Sequence, residues 1–166
     1  MAPRVEFVEG EARWRRALPA RKLAREAVAA AAQEAREEAG VSLARGAELT
    51  IHLIGDAGIR KLNKQWRGKD AATNVLSFPA APAERLAGAR LLGDVLVALE
   101  TLEREAAAQS KPLADHFRHL VAHGFLHLLG FDHETPAEAE AMERIEARAL
   151  ARLGVADPYA GAELAS

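Results

Sequence analysis

A chain of 166 residues, 49% of them hydrophobic, is enough for one core and reads as a single domain over residues 1–166. The absence of cysteine excludes disulfides and thiolate-bound metal. The lack of any long apolar run argues against a secretory signal or membrane span, so the expected location is cytoplasmic. A net charge of −2 excludes a uniformly basic nucleic-acid coat and confines any such contact to a local patch.

Residues 5–8 alternate apolar with other residues and predict a first strand. Arg13, Arg15, Arg16, Arg21, Lys22 and Arg25 follow with no acid among them, as either a basic face or an ordinary solvated one. Residues 19–39, rich in alanine, leucine and charge, predict a helix stopped by Gly40. Residues 49–54 predict a second strand with Ile51 and Leu53 on one side, after which Asp56 is expected to cap a helix running to residue 66. A second basic cluster, Arg60, Lys61, Lys64, Arg67 and Lys69, leads into a loop over 69–72. Strands are expected at 75–78 and 94–99. The segment PAAPAERLAGAR between them has the prolines and glycine of a mobile connection. A helix over 100–109 precedes one that starts near Ser110 and Pro112 and ends at Gly130. The last helix is announced by Thr135 as N-cap, Pro136 at N1 and Glu138 at N3. Met142, Ile145, Ala149 and Leu153 form its apolar stripe, and Gly154 closes it. Together these predict an α+β domain with a four-stranded mixed sheet, about five helices and a metal site at the end of a helix.

The strongest chemical signal is HGFLHLLGFDH at 123–133. His123 and His127, four residues apart, stack on one helix face, close enough to share an ion at about 2.0–2.1 Å per nitrogen. Continued at about 100° per residue, the helix would carry His133 to the far side, so the chain must turn. Gly130 is placed to end the helix in the left-handed conformation and let His133 return. Three imidazoles with no cysteine and no fourth histidine in the segment suit an open catalytic site whose remaining position holds water. The spacing is also that of the metzincin peptidases, HExxHxxGxxH, but position 124 is glycine where a peptidase needs its glutamate base.

This segment resembles the signature of the YbeY family of bacterial endoribonucleases and rRNA maturation factors. LNKQWRGKDAATNVLSFP at 62–79 is similar to the family block LNxxYRxxDxPTxVLSFP, with Trp66 where tyrosine is common and Ala72 where proline is common. Gly93 and Asp94 resemble the family's strand opening, and Asp157, Pro158 and Tyr159 a frequent C-terminal ending; residues 1–45 carry little likeness. The resemblance implies His123, His127 and His133 as ligands of one zinc ion per chain, with Arg67 and His123 as catalytic residues. It implies a single-strand-specific endoribonuclease acting in 16S rRNA 3′-end maturation and ribosome quality control. The implied partners are rRNA, the small ribosomal subunit and ribosome-assembly proteins, with no membrane and no DNA. Arg67 stands where the family has an arginine, and its guanidinium can hold two phosphate oxygens at once.

Other residues keep alternatives open. His116 and His119 share a helical face with His123 and His127. His119 either replaces His133 as a ligand or lines the cleft and bonds a supporting group. Asp132 orients a ligand or water, or satisfies its own turn. Asn63, Asn74 and Ser77 are expected to fix loop and strand geometry, and Asp94 to buttress the site or merely begin a strand. Without a glutamate at position 124 the proton acceptor is unassigned, leaving a metal-bound hydroxide or the RNA 2′-hydroxyl as nucleophile. Two other functions compete: a ribosome-assembly factor with a structural zinc, and a metallopeptidase, against which Gly124 argues.

Overall fold

The computed structural model describes residues 2–160. In chain order these form β1 Arg4–Glu9, α1 Trp14–Ala17, α2 Ala20–Ala39, β2 Glu48–Ile54, α3 Asp56–Arg67 and β3 Val75–Pro79. A 3₁₀ helix Ala83–Gly88 follows, then β4 Leu91–Ala98, α4 Leu99–Ala108, α5 Leu113–Leu128 and α6 Pro136–Arg152. The sheet has the order β1-β2-β4-β3, parallel except for the β3–β4 pair, so the α+β class with a four-stranded mixed sheet is observed. Among the described residues no helix is long and apolar enough to cross a membrane.

Strand alternation sorts the side chains into two cores. Leu49, Ile51, Leu53, Val95 and Val97 face the α2 and α5 layer, on which α6 packs, while Leu76, Leu96 and Ala98 face Ile59 of α3. Gly93 breaks the alternation at a bulge where Glu48 pairs with Leu91 but Leu49 pairs with Gly93. Its φ of 133° is left-handed, and a Cβ there would overlap the Phe78 carbonyl oxygen. The glycine therefore lets β3 close on β4, and β3 becomes the sheet edge beside α5.

Three expectations change. Asp56 does not cap its own helix: Gly55 is the N-cap and Asp56 the first helical residue. Its carboxylate instead accepts from the Thr101 amide at 3.0 Å and hydroxyl at 2.8 Å, in the first turn of α4, while Glu100 of α4 accepts from the Asp56 amide at 3.0 Å. The two helix starts satisfy each other's free amides, a pairing that local spacing cannot reveal. The connection expected to be mobile carries the 3₁₀ helix, anchored by buried Leu86. The single turn α1 is additional; it buries Trp14, whose indole donates to the Ile54 carbonyl at 2.9 Å.

Candidate metal centre

α5 lies flush against the sheet where its histidines begin. The carbonyl of Gly124 accepts from the Ser77 hydroxyl at 2.9 Å, and a Cβ at 124 would meet Val95 Cγ1 at 2.7 Å and Ser77 Oγ at 3.1 Å. Any side chain at this position would press on the β3 and β4 side chains Ser77, Val75 and Val95. The missing peptidase base is thus a steric feature as well as a chemical one, which removes the structural basis for a metzincin-like mechanism.

One turn later the helix ends as its sequence requires. Gly130 adopts φ 93°, its amide donates to the His127 carbonyl at 3.1 Å, and the Phe131 amide donates to the Leu126 carbonyl at 3.1 Å. These two bonds are a Schellman cap, and they return the chain toward the helix. Asp132 then accepts from the His133 amide at 2.7 Å, with the His133 Nδ1 3.4 Å away, so it both closes the turn and stands beside the ring. Thr135 caps α6 by accepting from the Glu138 amide at 3.2 Å.

One ring nitrogen each of His123, His127 and His133 lies within 4.8 Å of the others. The Nε2 atoms of His123 and His127 are 3.1 Å apart. Two nitrogens bound to one tetrahedral ion at about 2.0–2.1 Å stand roughly 3.3 Å apart, so the donor set fits a zinc-sized cation. Burial, then the neighbouring His123 and His133, hold the His127 pKa below 6.5, which favours the neutral imidazole that a metal requires.

His119 does not join this group. Its Nε2 donates to Glu146 Oε2 at 3.0 Å, and the Tyr159 hydroxyl donates to the same oxygen. The other oxygen of Glu146 accepts from His123 Nδ1 at 2.6 Å. A carboxylate only accepts, so this bond places the His123 proton on Nδ1 and leaves the Nε2 lone pair for the ion. Burial opposes the charge on Glu146, but the hydrogen bonds from His119 and His123 outweigh it and bring the pKa down to about 2. The Tyr159 pKa is pushed up by its own burial and by the Glu146 charge, so its hydroxyl keeps the proton it donates. Sequence reading missed Glu146 as a functional residue, although it sits on the α6 stripe of Met142, Ile145 and Ala149, where a carboxylate is out of place.

Arg67, Asn74 and Ser77 line a cleft of about 510 Å³ together with the three histidines, Phe131 and Asp132. Asn74 donates to Glu105 at 3.0 Å, and the same carboxylate oxygen accepts from His116 Nε2 at 2.9 Å, so His116 braces the cleft wall from behind. Asn63 donates to the Ala71 carbonyl at 2.9 Å and fixes the loop after α3. Asp94 does not buttress the site: it pairs with His52 at 2.8 Å on the sheet face opposite α5. In the 13–25 cluster Arg15 and Arg21 pair with Glu9 at 3.2 and 2.8 Å and Arg13 with Glu100 at 3.1 Å, while Arg16, Lys22 and Arg25 form no ion pair among the described residues. In the second cluster Arg60 pairs with Asp70 at 2.7 Å, whereas Lys61, Arg67 and Lys69 form no ion pair among the described residues.

Fold and site define an α+β protein whose cleft beside the sheet edge holds Arg67 and a three-histidine group able to take a metal ion. The family model described as endoribonuclease YbeY matches residues 12–154, and the chain belongs to that family. A relative named endoribonuclease YbeY from Bradyrhizobium sp. (strain BTAi1) is 46% identical over 165 residues, covering 97% of this chain and 95% of its own. Another of that name from Rhizobium johnstonii is 55% identical over 119 residues, 70% of this chain and 69% of its own. A Thermotoga maritima protein of known solution structure shares the fold, with a TM-score of 0.57 at 22% identity over 90% of this chain and 91% of its own.

Proposed function

We propose that the protein is a zinc-dependent endoribonuclease that cleaves single-stranded RNA, acting on the 3′ end of 16S rRNA in ribosome maturation and quality control. On this reading it works in the cytoplasm with the small ribosomal subunit and assembly proteins, and needs neither a membrane nor DNA. The observation that carries the reading is the convergence of three imidazole nitrogens and Arg67 on one cleft. The names of its relatives support it.

His123, His127 and His133 would hold the ion; when bound, it supplies a Lewis acid for phosphate and lowers the pKa of water toward about 7. Arg67 offers a planar, permanently charged fork to the phosphate oxygens and offsets the charge that builds there during cleavage. Glu146 keeps His123 in one tautomer and one orientation. Asp132 is a carboxylate on the cleft wall with the chemistry to accept a proton, one of its oxygens being engaged by the His133 amide.

The test combines metal analysis of the purified protein with cleavage of a precursor rRNA by wild type, His123→Ala and Arg67→Ala. One zinc per chain and loss of cleavage in both variants are expected. Undiminished cleavage by both would overturn the reading, and if zinc is still tightly held it would favour a scaffold with a structural metal. A 2′,3′-cyclic phosphate product would assign attack to the RNA 2′-hydroxyl, and a 5′-phosphate would assign it to water.

A further inference from the structure

Trp66 is 64% exposed, whereas Trp14 is 1% exposed. Helix geometry explains the contrast. Ile59, Leu62 and Asn63 form the stripe of α3 that faces the sheet, and Trp66, four residues beyond Leu62, extends it by one turn. There the sheet ends at its edge strand β3, whose Phe78 meets the indole at 6.3 Å between ring centroids in an edge-on arrangement. The ring is oriented by an aromatic neighbour while most of its surface stays in water.

The chain around it is mostly basic, and the acid across the sheet, Asp94 opposite Phe78, is engaged by His52 at 2.8 Å. Asp70 is the single acid between residues 57 and 83, and Arg60 holds it at 2.7 Å. Lys61, Arg67 and Lys69 have no such partner among the described residues, and Arg67, adjacent to Trp66 in the chain, lines the histidine cleft. A lone exposed apolar side chain is ordinary on a protein surface. An oriented indole among unpaired cations, one residue from an arginine that reaches a metal cleft, has the composition of a single-strand nucleic-acid platform. A protein partner would call for a wider apolar patch, but among the described residues the other large exposed apolar side chains, Val8 and Leu91, lie on β1 and at the start of β4.

We propose that Trp66 is a stacking platform for an unpaired nucleobase next to the phosphate held by Arg67, and that it gives the cleft its preference for single strands. The proposal rests on the ribonuclease reading. A base inside a duplex has both faces covered by its neighbours and cannot lie on the indole without leaving the stack, whereas an unpaired base offers its face freely.

Because Trp14 is buried, tryptophan emission from the intact protein reports RNA contact at Trp66. The protein is titrated with a hydrolysis-resistant 2′-O-methyl RNA of about ten nucleotides, single-stranded or annealed to its complement, while fluorescence anisotropy of the labelled oligonucleotide follows binding independently. The single strand is expected to quench emission and the duplex to leave it unchanged. Trp66→Ala, at an exposed position, should keep the wild-type unfolding temperature and bind the single strand roughly five- to a hundredfold more weakly, with Trp66→Tyr restoring most of the loss. Binding seen by anisotropy without quenching, and with equal affinity in Trp66→Ala, would overturn the platform and leave the ribonuclease reading standing. No binding of RNA by wild type at all would overturn both.

Discussion

The two halves of α5 carry the same side chain to different ends. In the first half His116, 4% exposed, gives its Nε2 proton to Glu105, and His119 gives its own to Glu146. In the second half His123 gives Glu146 its Nδ1 proton and turns Nε2 toward His127 and the cleft. One carboxylate thus makes a strut of one histidine and a prospective ligand of the next, according to which ring nitrogen it takes. The Nδ1 atoms left over on His116 and His119 are buried without a hydrogen-bond partner among the described residues. Histidine content therefore says little about a metal site, and the ring nitrogen left free says a great deal.

The contrast can be broken most forcefully by truncation. His127→Ala should weaken zinc binding by more than about a hundredfold, the upper range for removing an outer supporting group, in a competition titration with a chromophoric chelator. Glu146→Gln should weaken it about ten- to a hundredfold in the same titration, because the amide can no longer accept from both rings. Wild-type affinity in Glu146→Gln, with the fold intact by thermal unfolding, would erase the distinction between the two halves.

Gly124→Ala tests the contact on which both halves depend. Its methyl group would overlap Val95 and Ser77, and the expected cost is about 1–3 kcal/mol in chemical denaturation. His116→Asn should cost about 1–3 kcal/mol by leaving Glu105 short of a donor, while zinc affinity stays at the wild-type value.

The smallest effect is the pH dependence that His116 gives the metal-free protein. Burial holds the His116 pKa below its usual 6.5, against the pull of Glu105, so the unfolded chain takes up that proton first. The stability it contributes is complete above about pH 6.5 and declines as pH falls through that value, and His116→Asn should flatten the slope. Glu146 acts in a lower window. With its pKa brought from 4.5 to about 2, its contribution is complete above about pH 4.5 and is lost as pH falls toward 2.

Local patterns were legible in the sequence. The helical pair His123 and His127, the glycine turn to His133 and the Thr135 cap all depend on neighbours within a few residues, and each is found in the structure. Arg67 came from the resemblance of its block, and it lines the same cleft as the histidines. What escaped depends on distant partners. Glu146 was one acid within an acidic stretch until α6 packed it against His119 and His123, 27 and 23 residues away. Gly124 read as a missing base, and its contact with Ser77 lies 47 residues upstream. The Asp56 carboxylate capped a helix 45 residues on instead of its own.

The central claim is that His123, His127 and His133 are one cation site and that His116 and His119 are excluded from it. X-ray diffraction at the zinc absorption edge from crystals grown with one equivalent of zinc tests it directly. The account predicts a single anomalous peak within about 2.0–2.1 Å of one ring nitrogen from each of the three histidines, with Glu146 behind His123 and out of contact with the ion. A peak bound to His119 or to the Glu146 carboxylate, or no peak between the three rings, would contradict it.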